Sequence, residues 1–165
     1  MNDNRKFDFD VNKDTNTVNV VREFAAPLQQ VWKAWTTAEM LDQWWAPKPW
    51  KARTKELNFT PGGRWLYAMV GPDSTEHWCR AIYEKISDKS SYSYDDAFCD
   101  AEGNVTDGFP GSHWDVAFAD NGDMTTVTIT ISHKNAAGLE KILAMGFQGG
   151  FTMGLNNLDE LLAGK

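Results

Sequence analysis

The stretch "GFQGGFTMGLNNLDELLAG", residues 146–164, decides how the rest of the chain is read. Phe147, Phe151, Leu155, Leu158 and Leu162 return at spacings of four, four, three and four, which puts them on one stripe of an amphipathic helix. That helix needs an apolar surface to lie on. Gly146, Gly149, Gly150 and Gly154 interrupt its first half, and each costs about 1 kcal/mol relative to Ala in a helix interior. They predict either a break near Gly149 and Gly150 or a bulky group packed closely there. Just upstream, "AAGLEKILAM", residues 136–145, reads as a helix capped by Asn135.

The surface comes from the strands that precede it. "TTVTITIS", residues 125–132, alternates strictly, with Val127, Ile129 and Ile131 inward and threonines outward. Strands are expected at 51–59, 63–70, 77–87, 91–99, 112–119 and 124–133, separated by "TPGG", "GPDST", "SDKS", "AEGNVTDGFPG" and "DNGD". Such clusters of Gly, Pro, Asn and Asp make antiparallel hairpins. Ahead of them, Val18, Val20 and Phe24 share one parity of a strand over 18–24, and Pro27 opens a helix in "PLQQVWKAWTT". A second short helix runs through "AEMLDQWW" and stops at Ala46, because Pro47 disfavours helix for the residue before it. The order is that of an α+β fold in which one curved antiparallel sheet wraps around a long C-terminal helix and buries every apolar face at once. No internal repeat or linker divides residues 1–165, so a single domain is expected.

Charge and motifs narrow the function. The net charge is −7, with Lys and Arg scattered singly, so no nucleic-acid partner is expected. "MNDNRKFDFDVNKD" lacks the apolar core of a signal peptide and no run of about 18 apolar residues occurs, which predicts no membrane insertion and a cytoplasmic location. Cys79 and Cys99 form no CxxC, and His77, His113 and His133 are isolated, with no HExxH and no G-x-S-x-G turn. "DFDVNKDTN", residues 8–16, starts like a calcium loop but lacks its glycine and its last carboxylate, and reads as a solvated turn. These motifs predict no catalytic set, no metal and no cofactor.

"REFAAPLQQVWKAWTTAEMLDQWWAP", "TPGGRWLYAMVGPD" and "GFTMGLNNLDELL", in that order, resemble the three signatures of bacterial domains related to the activator of the ninety-kilodalton heat-shock chaperone's ATPase. These belong to the START-like, helix-grip superfamily, and the match runs over about residues 17–163. The resemblance implies about seven strands, plus one short extra N-terminal strand, gripping the C-terminal helix around a cavity for a small apolar or amphipathic molecule. Superfamily relatives carry lipids, bind plant hormones or cyclise polyketides. A carrier is therefore the first expectation, with an aromatase- or cyclase-like enzyme and a chaperone-related interaction module as alternatives. The family commonly has Asp and Arg before the Pro-Gly-Gly turn where this chain has Asn58 and Thr60. The eukaryotic activator also has a separate chaperone-binding domain for which 165 residues leave no room, which counts against a chaperone partner.

The resemblance places "LDQWWAPKPW", residues 41–50, against one side of the cavity, making Trp45 and Trp50 candidates for its mouth, although core packing is the usual use of such rings. Adjacent rings do not both face inward from one helix position, so one of Trp44 and Trp45 is expected to meet solvent, a partner or the ligand. Strand parity adds Trp65, Tyr67 and Met69, then Tyr94, Asp96 and Phe98, then Trp114, while Phe147, Phe151 and Met153 come from the terminal helix. Parity also groups Arg80 and Glu84 with Trp78, Ile82 and Ile86. A turn at "SDKS" sets Asp96 opposite Ile82 and diagonal to Arg80 and Glu84. Three converging charges form a structural ion pair or the polar end of a ligand pocket, and in an enzyme they supply acid and base; a different register dissolves them. The same register sets Cys79 opposite Cys99 as two thiols.

Overall fold

The computed structural model describes residues 5–106 and 111–164, so the 107–110 part of the separator "AEGNVTDGFPG" lies outside the described residues. The chain runs β1 (Phe7–Asn12), β2 (Thr17–Phe24), α1 (Leu28–Thr36), α2 (Ala38–Trp44), β3 (Lys51–Leu57) and β4 (Arg64–Val70). It continues through β5 (Glu76–Ser87), β6 (Ser91–Cys99), β7 (Ser112–Asn121), β8 (Met124–His133), α3 (Ala136–Ala144) and α4 (Phe147–Leu162). All eight strands pair antiparallel in one sheet of order β1-β2-β8-β7-β6-β5-β4-β3. The α+β, helix-grip arrangement is present, with α1, α2 and α4 on the inner face of the sheet.

The extra N-terminal strand replaces the solvated turn expected over residues 8–16. Phe9 and Val11 alternate with Asp8 and Asp10, and β1 pairs β2 from Phe7↔Arg22 to Asn12↔Thr17. Only the four residues after Asn12 turn, with the Asn12 side chain accepting from the Asp14 and Thr15 amides. No helix of the described residues is long and apolar enough to cross a membrane.

The terminal helix is broken elsewhere than expected. The break is at Gly146, whose φ of 87° lies in the left-handed region that favours glycine, and Gly149 and Gly150 continue inside α4. The close approach is at Gly154, where an added Cβ meets the Trp45 carbonyl oxygen at 3.1 Å and that of Trp44 at 3.4 Å. Beside it the Asn157 amide donates to the carbonyl oxygens of Ala46 at 3.1 Å and Trp44 at 3.4 Å, satisfying groups that the end of α2 leaves open. On the far side, buried Arg22 of β2 donates to Asn156 at 2.8 Å, and Arg5 grips Asp159 through two hydrogen bonds. The helix is thus held at both flanks by directional contacts as well as by its leucines.

The β5–β6 hairpin corrects the expected charge cluster. Pairing near the turn is Ser87↔Ser91 and Ile86↔Tyr92, as the "SDKS" turn requires, but the register shifts between Tyr83 and Ile86 and continues as Tyr83↔Tyr94, Ala81↔Asp96 and Cys79↔Phe98. One extra residue on β5 exchanges the faces of everything beyond it. Cys79, Ala81 and Tyr83 therefore face inward with Asp96, whereas Arg80, Ile82 and Glu84 face outward. The cysteines separate too: Cys99 pairs with Trp78 on the outer face, and both thiols are free.

Candidate functional site

A cavity of about 370 Å³ lies between the sheet and the α3–α4 bend. It exists because small side chains meet there. Cys79, Ala81 and Ser112 occupy the middle of the sheet, and Gly146 and Gly150 stand over them, while large rings close the sides. Trp45 sits at the centre of that ring wall, with centroids 5.2 Å from Trp65, 5.9 Å from Trp114 and 6.0 Å from Phe151. Its indole N–H donates to the Tyr67 hydroxyl at 3.0 Å. Trp50 packs against His77 at the rim, and half-exposed Met145 also borders the cavity.

The expected residues sort cleanly by face. Trp65, Tyr67, Met69, Tyr94, Asp96, Phe98 and Trp114 border the cavity from the sheet, and Trp45, Trp50, Phe147 and Phe151 from the segment after α2 and from α4. Met153 is instead 41% exposed. Trp44 and Trp45 are both buried, so of the expected surroundings of one ring, solvent, a partner or the ligand, solvent is excluded and Trp45 borders the cavity instead: α2 ends at Trp44, so the two rings leave the chain in different directions. Trp44 packs on Trp35 and donates to the Ala34 carbonyl at 2.9 Å, while Trp45 turns into the cavity.

Arg80, Glu84 and Asp96 do not converge. Arg80 borders the cavity along its strand, but its guanidinium lies on the outer face and donates to the Gly103 carbonyl at 2.9 Å. Glu84 sits on the outer face 3.2 Å from His113, whose Nδ1 is also 2.7 Å from Asp95 and whose Nε2 is 3.4 Å from Asp115. Partial desolvation pulls the His113 pKa down, but the Asp95 hydrogen bond and the charges of Asp115 and Glu84 outweigh it and leave the pKa raised. Glu84, Asp95 and His113 offer three ligand atoms within 4.8 Å, on a solvated surface remote from the cavity. The histidine looks isolated in sequence because two of its partners, Asp95 and Glu84, come from β6 and β5, and only Asp115 from its own strand.

Inside the cavity Asp96, Ser112 and His133 form one polar row across the sheet. Asp96 pairs with Ser112, and Ser112 with His133, so side chains from β6, β7 and β8 stand abreast. Asp96 Oδ1 accepts from the Ser112 amide at 2.8 Å and from its hydroxyl at 2.6 Å, and Oδ2 accepts from the Trp114 indole at 3.1 Å. Burial raises the Asp96 pKa, and these donors offset the rise only in part. His133 is buried with no hydrogen-bond partner on either ring nitrogen, and burial lowers its pKa, so the imidazole is neutral. Burial likewise holds the Tyr67 and Tyr94 phenols neutral by raising their pKa values. His133 was legible: it continues the parity of Ile129 and Ile131. Cys79, Ala81 and Ser112 were not, since small residues signal a void only once the larger ones around them are placed.

Several solved structures of similar shape come from bacteria. A crystal structure from Mycobacterium smegmatis is 28% identical, with 94% of this chain and 95% of that one covered and a TM-score of 0.86. A solution structure from Arthrobacter aurescens is 26% identical over 96% and 92% of the two chains, with a TM-score of 0.90. An AHSA1 protein from Silicibacter pomeroyi shares the fold alone, at 18% identity over 89% and 97%, with a TM-score of 0.72. No curated protein matches the chain. The model of one family, Activator of Hsp90 ATPase homolog 1-like protein, matches residues 25–163, and a match over that share of the sequence means that the chain belongs to this family.

Proposed function

We propose that this protein binds a small apolar or amphipathic molecule in the cavity between its sheet and α4. The supporting observation is a ring-walled void of about 370 Å³, sheltered by α3 and α4, with few polar groups beside the row of Asp96, Ser112 and His133. Small-molecule sites have this build, an apolar wall with few polar anchors. A ligand burying about 200 Å² of apolar surface gains roughly 5 kcal/mol from that burial before the costs of association. The enzyme alternative loses its acid–base trio, since Arg80 and Glu84 turn to the outer face. The interaction-module alternative loses its exposed ring, since Trp44 and Trp45 are buried.

Native mass spectrometry after incubation with a small-molecule extract of bacterial cells tests the proposal. The expected result is an adduct that denaturation releases unchanged and that Cys79→Phe, which fills the cavity floor, abolishes in a folded protein. An adduct that survives Cys79→Phe places the ligand elsewhere, and a chemically altered product makes the protein an enzyme.

A further inference from the structure

The charges around the cavity are of one sign. Asp96 is the one carboxylate among the described residues that border it, and no lysine does. The one bordering arginine, Arg80, commits its guanidinium to Gly103 on the other face. His133 is buried and carries no hydrogen bond, and His77 stands at the exposed rim. A ligand carboxylate entering here meets no cation and faces Asp96, an arrangement that a low-dielectric wall makes strongly unfavourable.

Asp96 is also short of partners in a particular way. Two of its three donors come from Ser112 to Oδ1, leaving Oδ2 with the Trp114 indole alone and free capacity for another donor. Ala81 on one side and Ser112 on the other are too small to cover it. His133 stands two strands away, roughly 10 Å at the backbone, with unused hydrogen-bonding capacity on both nitrogens. Along β6 the neighbours of Asp96 on the same face are the rings of Tyr94 and Phe98, and the ring wall of Trp45, Trp65 and Phe151 lies beyond. A carboxylate in a pocket walled by aromatic faces is the chemistry that recognises an organic cation.

Resting on the binding function proposed above, we infer that the ligand is an organic ammonium: an apolar, ring-sized body ending in a protonated amine that donates to Asp96 Oδ2, with His133 as a further acceptor. The net charge of −7 favours the approach of such a cation as well.

Isothermal titration calorimetry at pH 7 with three matched compounds tests this: 2-naphthylmethylamine, 2-naphthylmethanol and 2-naphthoate. The wild-type protein is expected to bind the amine about tenfold or more tightly than the alcohol, and the carboxylate most weakly. Asp96→Asn is expected to bring the amine within about threefold of the alcohol. The Trp114 indole N–H resonance gives a second reading on the unaltered protein, because Asp96 Oδ2 at 3.1 Å is one of its two acceptors, beside Ser112 Oγ at 3.2 Å; the naphthyl ring of either ligand moves it, and the amine is expected to move it clearly further than the alcohol. Equal binding of amine and alcohol, or tighter binding of the carboxylate, overturns the ammonium assignment and leaves the cavity function standing. An amine preference that survives Asp96→Asn overturns it too. No binding of any of the three at millimolar concentration overturns both.

Discussion

Trp45 and Trp50 are five residues apart in one tryptophan-rich segment, yet their surroundings assign them different work. Trp45 is 9% exposed, touches the rings of Trp35, Trp44, Trp65, Trp114 and Phe151, and spends its N–H on Tyr67. Truncating such a side chain removes transfer energy and leaves a hole, so Trp45→Ala is expected to cost about 3–5 kcal/mol. At this chain length each kcal/mol shifts the melting temperature by roughly 2–4 °C, which a thermal unfolding curve reads directly. Trp50 is half-buried at the rim, with one ring neighbour, His77. Trp50→Ala is expected to change stability by about 1 kcal/mol or less while weakening ligand affinity several-fold, measured on the same sample by calorimetry. A Trp50→Ala protein that loses stability like Trp45→Ala, with affinity intact, assigns Trp50 to the core and removes it from the mouth.

Between elements, what decides the packing is the distance at which backbones pass. α4 crosses the end of α2 so closely that a Cβ added at Gly154 comes within 3.1 Å of the Trp45 carbonyl oxygen, and Asn157 hydrogen-bonds the same segment. Ordinary helix propensity favours replacing this glycine, whereas the crossing forbids a branched side chain. Gly154→Val is therefore expected to destabilise by about 2–4 kcal/mol, and Gly149→Ala, which meets open space, to stabilise by up to about 1 kcal/mol; chemical denaturation of the pair checks both signs. This contrast also shows where the sequence is readable. The stripe of α4, the alternation of β8 and the hairpin separators follow from periods of 3.6 and 2, so the sheet, the helix and most of the ring wall could be drawn from them. Which of four glycines turns the chain and which admits a neighbour depends on another element's position, and no local pattern encodes that. The bulge between Tyr83 and Ile86 is the same lesson on a strand: it leaves alternation intact on both sides and moves Arg80 and Glu84 to the other face. The predicted charge cluster failed by one residue of register, whereas Asp96, on the unbulged partner strand, keeps its inward face although it pairs with Ala81 rather than Ile82.

At the scale of the whole molecule, Asp96 links the cavity to stability. Its carboxyl is held above its usual value of 3.8 by burial, against the partial relief of Ser112 and Trp114, so the folded protein binds its proton more tightly than the unfolded chain does. The sign follows from that order. Below the unfolded pKa the acid is neutral in both states and its burial carries no charge penalty; as pH rises through the folded pKa, the folded state must ionise a buried group and stability is lost. Other carboxylates titrate in the same region, but they do so equally in wild type and Asp96→Asn. The difference in melting temperature between the two is therefore expected to move against the wild type as pH rises from about 4, and to level off once Asp96 is ionised. A bound cation reverses the trend, because it stabilises the ionised form: 2-naphthylmethylamine is expected to raise the wild-type melting temperature more at pH 7 than at pH 4. A pH-independent difference between wild type and Asp96→Asn shows that the carboxyl is solvated in the folded protein, and an amine effect equal at both pH values shows that the ligand does not meet it.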